Sequence, residues 1–258
     1  MSYDLIGSSE KAVAIVEISE GKSEKRIAEE IMKKNKNVKS VLKKVSGRKG
    51  KLRLRECKLI AGNRNTEVVH REYGYLLKLD PQKVYFSPRE ANERQRIAEQ
   101  VKPNEIVLVM FSGIAPFALA IAKKQPEVKK IYCIEKNSDA HEYAEENVRI
   151  NKLAHKINLI CGDVGKEAKK LPQKFDRIVM PLPLGAKSFL KIAFEGLKKK
   201  GVIHFYAISE EDNLFSNVLS NIKSVSRKLK KRIKILNKKK VLPYSPGKWK
   251  VCIDFSVG

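Results

Sequence analysis

The stretch Ile106-Val-Leu-Val-Met-Phe-Ser-Gly-Ile-Ala-Pro-Phe117 constrains this chain more than any other. A strand turns successive side chains to opposite faces, so five apolar residues in a row leave it no face for water. Such a strand sits in the centre of a parallel sheet covered on both sides. Ser112 and Gly113 then supply a tight turn, and Pro116 suits the first position of a helix that Phe117-Ala-Leu-Ala-Ile-Ala-Lys123 carries onward. Strand, small-residue turn and helix together open a nucleotide-type α/β sheet, with backbone N–H groups aimed at a ligand.

The turn alone is a weak signal, because many strand–helix units carry a glycine there. The downstream spacing adds to it. A second apolar run, Lys130-Ile-Tyr-Cys-Ile134, ends in Glu135, where a carboxylate can accept hydrogen bonds from ribose hydroxyls. A third, Ile157-Asn-Leu-Ile-Cys161, ends in Gly162 and Asp163. Neither G-x-G-x-x-G nor G-x-x-x-x-G-K-[ST] occurs, which counts against dinucleotides and nucleoside triphosphates. The turn, Glu135 and Asp163 point instead to an adenosine-bearing cofactor without a pyrophosphate, S-adenosylmethionine foremost.

Strands and helices alternate around this centre. Strands are expected at 106–110, 130–134, 157–161, 175–180 and 202–206. Helices are expected from Pro116, from a Ser138-Asp139 cap, over 184–199 with Gly201 as the stop, and through Leu214 to Val225. A β pair around Pro243-Tyr-Ser-Pro-Gly247 closes the chain. This order gives an α/β fold with a mostly parallel sheet. The N-terminal part differs: a strand at 11–18, a helix capped by Ser23, a strand from Val38 to Val45, and further strand-like segments up to Leu79. Residues 1–82 therefore read as a small α+β module and residues 83–258 as the larger domain. Ser87, Pro88 and Glu90 open the helix that joins them.

Charge narrows the partners. Fifty-four Lys and Arg face 29 Asp and Glu, a formal net charge of +25, which ion pairing cannot absorb. A polyanion is the fitting partner, nucleic acid first. Twelve Lys or Arg and no acid fall between Lys223 and Lys250, either a solubilising surface or a polyphosphate contact. The four cysteines are far apart with no C-x-x-C, so no metal site is expected and free thiols suit a reducing compartment. No segment is apolar enough to span a membrane. A cytoplasmic monomer is the expectation.

Longer motifs carry a resemblance. Val41-Leu-Lys-Lys-Val-Ser-Gly47, Arg53-Leu-Arg-Glu, His70-Arg-Glu-Tyr-Gly74, Val84-Tyr-Phe-Ser-Pro-Arg89 with Glu93-Arg94, Met110-Phe-Ser-Gly-Ile-Ala-Pro-Phe117, Asp176-Arg-Ile-Val-Met180 and Gly201-Val-Ile-His204 occur in that order. Over nearly its full length the chain resembles the archaeal and eukaryotic tRNA (guanine-37 N1)-methyltransferase family. The resemblance implies a class I, Rossmann-like methyltransferase fold behind a small RNA-contacting module. It also implies methyl transfer from S-adenosylmethionine to N1 of the guanosine beside the anticodon, with the anticodon stem-loop of tRNA as partner. Glu93 then looks like the general base and Arg53 like the group that steadies charge on the guanine O6. Cofactor neighbours would be Tyr85, Arg94, Phe111, Ser112, Gly113, Glu135, Asp163, Pro181 and Pro183. Arg55, Arg71, Arg89 and Leu182 would contact the RNA.

Three departures stand out: Val109 where the family usually has Asp, Ala115 where it has Gly, and Pro181-Leu-Pro183 where Asn-Leu-Pro is common. The first would weaken the hold on the cofactor's amino acid portion, the last removes a side chain expected near the target base. Some archaeal relatives also methylate a tricyclic wyosine precursor, which an altered pocket would suit. The chain is expected to lack the extra N-terminal domain of many archaeal members, so that an isolated stem-loop would react nearly as fast as whole tRNA. Two rival readings stay open: aminocarboxypropyl transfer in wybutosine synthesis, and a tRNA-binding relative without catalysis. Glu93 favours methyl transfer, because N1 must lose a proton.

Overall fold

A computed structural model describes residues 3–49 and 54–258. The N-terminal sheet has the order β1 (Tyr3–Gly7), β2 (Ala12–Val16), β3 (Val38–Lys49) and β4 (Leu54–Gly62). Helix α1 (Glu24–Lys34) crosses between the parallel pair β2 and β3, capped by Ser23 Oγ, which accepts from the Arg26 amide at 3.3 Å. Ile27, Ala28 and Ile31, one face of α1 at helical spacing, pack on Ala12, Ala14, Val16 and Val41. The opposite face of the sheet, through Ile6, Val13 and Leu42, joins the core of the larger domain. β1 carries no strong alternation and was not expected from the sequence.

A hairpin follows, β5 (Val68–Glu72) and β6 (Tyr75–Leu79), turning at Tyr73 and Gly74, both with positive φ. It bonds to both parts of the chain. His70 Nδ1 lies 3.2 Å from the Gly7 amide of β1. On the other side, α4 (Ser138–Ile150) continues the hairpin's edge with side chains. Asn147 Oδ1 accepts from the Lys78 amide at 2.6 Å and its Nδ2 donates to the Lys78 carbonyl at 3.1 Å, while Asn151 does the same for Leu76 at 2.9 and 2.7 Å. One helical turn nearly matches two residues of strand, so two asparagines four apart satisfy alternate residues of β6.

The larger sheet has seven strands in the order β12 (Ile233–Ser245), β13 (Lys248–Val257), β11 (Leu197–Glu210), β10 (Phe175–Met180), β7 (Ile106–Met110), β8 (Lys130–Glu135), β9 (Ile157–Cys161). β7 lies between parallel neighbours, and Val107 to Met110 are fully buried, as the apolar run requires. β13 runs antiparallel to β11 and β12, so the closing pair adds an antiparallel edge. α2 (Ala91–Ala98), α3 (Pro116–Lys124), α5 (Val164–Lys170), α6 (Leu190–Gly196) and α7 (Ser216–Lys228) complete the layers with α4. The sheet order reverses between β7 and β10, and that switch point is where a crevice opens.

Three local expectations need correction. α4 is capped by Asn137, whose side chain accepts from the Asp139 amide at 3.1 Å, rather than by Ser138 and Asp139. The helix expected over 184–199 is a 3₁₀ turn, Ala186–Phe189, followed by α6, which ends at Gly196. Gly201 does not stop it. Gly201 lies in β11 against β10, where a Cβ would stand 3.0 Å from the Asp176 carbonyl oxygen. α5 was not expected; Asp163 caps it by accepting from the Gly165 amide at 2.9 Å.

Asn147→Ala is expected to leave the partly buried Lys78 amide and carbonyl without their Asn147 partners and to cost about 2 kcal/mol of unfolding free energy. Urea denaturation measures this, and a loss below ~0.5 kcal/mol, the scale of an ordinary surface substitution, would show that these bonds do not anchor the hairpin.

Candidate active site

A cavity of about 470 Å³ lies over the carboxyl ends of β7 to β10 and reaches the tip of the β12–β13 hairpin at Tyr244. On the β8–β9 side its wall holds two acids. Glu135 Oε2 accepts from the Gly113 amide at 2.7 Å, and Oε1 from the amides of Lys136 and Asn137 at 2.9 and 2.8 Å. The Asp163 carboxyl lies below its ordinary range, chiefly through its bond to Lys136 Nζ at 3.2 Å. Phe111, Gly113 and Ala115 all have φ between 55° and 65°, so the backbone turns sharply over this end. Gly113 and Gly185 both line the cavity, and a Cβ on either would meet no protein atom within 4 Å. It would project into the space a ligand fills.

The other side is built by α2 and the turn before it. Glu90 lines the cavity and is 4 % exposed. Its Oε2 accepts from Lys250 Nζ at 2.7 Å and its Oε1 from the Tyr85 hydroxyl at 3.0 Å. Burial alone would raise this carboxyl, but Lys250 and Arg94 outweigh it and hold Glu90 below the carboxylate range. Arg94 also lines the cavity and forks onto Glu72 of β5 at 2.8 and 2.5 Å, with the Tyr75 hydroxyl on the same carboxylate. Its guanidinium lies 5.1 Å from the centre of the Phe86 ring.

Behind this wall runs a buried chain of charges. Glu93 accepts from Arg96 through both oxygens, at 2.7 and 2.8 Å, and from the Tyr206 hydroxyl at 2.6 Å. Arg96 also reaches Asp254 at 2.5 Å. Asp254 in turn bonds His204 Nδ1 at 2.7 Å, and Arg177 lies 2.7 Å from His204 Nε2 and forks onto Glu105. A guanidinium only donates, so Nε2 is an acceptor and His204 is neutral with its proton on Nδ1. Burial, the largest cause, agrees and pushes its pKa below the ordinary 6.5. His204, Cys252 and Asp254 lie together, but a cation there would face Arg96 and Arg177 and displace their bonds.

Of the residues singled out from sequence, Tyr85, Arg94, Phe111, Ser112, Gly113, Glu135, Asp163, Pro181 and Leu182 line this one cavity. Glu93 and Pro183 are buried outside its lining. Arg71 is exposed on β5, and Arg89 is exposed and paired with Asp4 of β1 at 2.5 Å. Arg53 lies outside the described residues, and of Arg55 only its place in β4 is described. Val109 is buried in β7 away from the cavity lining, so an acid there would enter the core. Ala115 precedes α3 in the left-handed region, at φ 65° and ψ 32°, which explains why glycine suits the position. Glu90, Phe189 and Tyr244 were missed as site residues. Tyr244 is 63 residues beyond Pro181 in sequence, and only the hairpin's pairing with β11 brings it to the cavity.

The TRM5/TYW2 methyltransferase domain matches residues 68–236, from the hairpin to β12. The chain belongs to the TRM5/TYW2 methyltransferase family. It is 37% identical over 258 residues to the tRNA (guanine(37)-N(1))-methyltransferase Trm5b of Pyrococcus abyssi, covering 99% of this chain and 74% of that one. Among solved structures it is similar to aTrm5 in complex with tRNALeu, at TM-score 0.85 and 34% identity, over 100% of this chain and 72% of that one. It is also similar to Methanocaldococcus jannaschii TYW2 in complex with AdoMet, at TM-score 0.73 and 29% identity, over 99% of both chains. TRM5/TYW2 membership agrees with the class I α/β fold expected from the alternating elements. Among the described residues no helix is long and apolar enough to cross a membrane.

Because His204 is held neutral, its stabilising contribution is complete above the unfolded-state value near 6.5 and is lost as pH falls toward the lower folded value. Stability against unfolding, followed by thermal melts, is therefore expected to fall between pH 7 and 5. His204→Asn should reduce that slope by one proton, about 1.4 kcal/mol per pH unit. His70, also depressed by burial, would keep part of the slope. An identical slope in the variant would show that His204 is protonated in the folded protein.

Proposed function

We propose that this chain transfers a methyl group from S-adenosylmethionine to N1 of guanosine 37 of tRNA, working on the anticodon stem-loop. The observation that carries this reading is that one cavity spans both the strand-tip acids Glu135 and Asp163 and, at its other end, Glu90, Leu182 and Tyr244. A donor and a flat base need a shared space of this kind at the carboxyl edge of the sheet. The site residues fit the donor: two carboxylates suit ribose and amino groups, and the bare faces of Gly113 and Gly185 leave room beside them. S-adenosylmethionine, when bound, supplies the methyl group. The excess of 54 basic over 29 acidic residues suits an RNA backbone.

The rest of the chemistry belongs to the chain. Guanine N1 carries a proton, and its lone pair becomes available for a new bond only as that proton leaves. Glu93 is the proposed acceptor of that proton and Arg53 the proposed partner of the developing charge on O6. Arg96 has a second carboxylate, Asp254, at 2.5 Å, so it keeps a partner when Glu93 turns to the base. Arg55, Arg71 and Arg89 are proposed to contact the RNA. Aminocarboxypropyl transfer to a carbon would not call for a base at N1. Glu93 therefore favours the methyl reading within the TRM5/TYW2 family.

The test incubates wild type and Glu93→Ala with transcripts bearing G or A at position 37 and maps the product by mass spectrometry. Product at N1 is expected only with G, and Glu93→Ala should form it about 10²- to 10⁴-fold more slowly than wild type. Equal rates would remove Glu93 from the mechanism.

A further inference from the structure

Glu90 and Lys250 form an ion pair at 2.7 Å in which each side chain is 5% exposed. Taking two charges out of water costs several kcal/mol per ion, and an apolar pair of similar size is often no less stable. Stability therefore gives little reason for a carboxylate in the wall of a substrate cavity to be backed by a buried lysine. Its surroundings give a chemical one. An ionised carboxylate has about four acceptor positions. Tyr85 takes one on Oε1 and Lys250 one on Oε2, while the group lines the cavity. Glu90 thus has acceptor capacity to offer a ligand. Lys250, held over the Tyr206 ring at 4.9 Å, fixes the carboxylate's direction and keeps it ionised.

Lys250 comes from the side of the sheet away from the strand-tip acids. Lys250 on β13 is in register with Ile208 near the carboxyl end of β11, and β13 is four strands from β8, which carries Glu135. At about 4.8 Å per strand that is about 19 Å across the sheet. The base lies at this end in the reading proposed above, on which this inference rests. Guanine's pairing edge carries O6, N1–H and the 2-amino group in sequence, whereas adenine has an amino group only at its other end. Glu93 stands one helical turn after Glu90, and with Glu93 assigned to N1–H and Arg53 to O6 only the 2-amino donors lack a partner. The departure at Pro181 removes a side chain expected near the target base, so no amide stands there to offer an acceptor.

We propose that Glu90, oriented by Lys250, accepts a hydrogen bond from the 2-amino group of the target guanine and so sets the specificity of the reaction. Lys250 is a positioning residue. The contact reads the base without taking part in the bond that forms at N1.

The test compares transcripts with guanosine or inosine at position 37, since inosine lacks only the 2-amino group. Wild type is expected to prefer guanosine by about 10- to 100-fold in kcat/KM, the loss of a hydrogen bond to a charged group. In the double variant Glu90→Leu, Lys250→Met the ratio should fall to about one, measured with S-adenosylmethionine saturating for each protein as set by calorimetry. Glu90→Gln keeps a carbonyl acceptor and should keep most of the preference. Wild type treating both transcripts alike, or a double variant with the wild-type ratio, overturns the inference. Absence of N1-methyl product from wild type with guanosine would instead overturn the functional reading, and this inference with it.

Discussion

Four consecutive charged side chains of one short helical segment hold the molecule together at its site. Glu90 binds Lys250 of β13, Glu93 meets Tyr206 of β11, Arg94 forks onto Glu72 of β5, and Arg96 reaches Asp254 of β13. Each bond runs to an element distant in sequence, so α2 and its preceding turn become the common joint of the N-terminal hairpin and the antiparallel edge of the large sheet. Glu90, Glu93 and Arg94 are nearly inaccessible to water, and charges so placed are tolerated only when paired and hydrogen-bonded. Breaking one such pair leaves an uncompensated charge, which makes the joint stiff as well as polar.

That stiffness has a chemical use. The turn before α2 presents Glu90 and α2 presents Arg94 to the cavity, with Glu93 outside its lining, so the position of the carboxylates relative to the glycine turn is set by bonds from outside the cavity. A site held this way can meet a substrate without first ordering its own side chains. Tyr244 arrives from a different direction, on a hairpin whose lysines pair with Glu210 and Glu211. Lys250 of the same hairpin binds Glu90, so Tyr244 and the α2 side of the cavity are tied to each other as well.

Much of the larger domain was legible in the sequence because its signals are local. The apolar run of β7, the turn at Ser112 and Gly113, and the acids at Glu135 and Asp163 are contiguous motifs, and the fold brings the turn and both acids to one cavity. Helix ends were less legible. Asn137 outcompetes Ser138 as a cap by one residue, and Gly201 reads as a helix stop although its role is close approach of β11 to β10. Least legible was what pairs across the sheet. Nothing in the local sequence around Lys250 marks it as the partner of Glu90, 160 residues earlier, because the pairing comes from β13 folding back beside β11. Nor does the spacing around Glu93 tell that Arg96, three residues on, takes both of its oxygens.

The account rests on a methyl donor lodged at the β7–β9 end of the cavity, with its ribose against Glu135. Titration calorimetry with S-adenosylmethionine tests this most directly, on wild type and on Glu135→Ala. The account predicts one site per chain for wild type and an affinity weaker by about tenfold or more in the variant, the loss of a hydrogen bond to a charged acceptor. Absence of binding by wild type at millimolar ligand, or equal affinity in the two proteins, would contradict it.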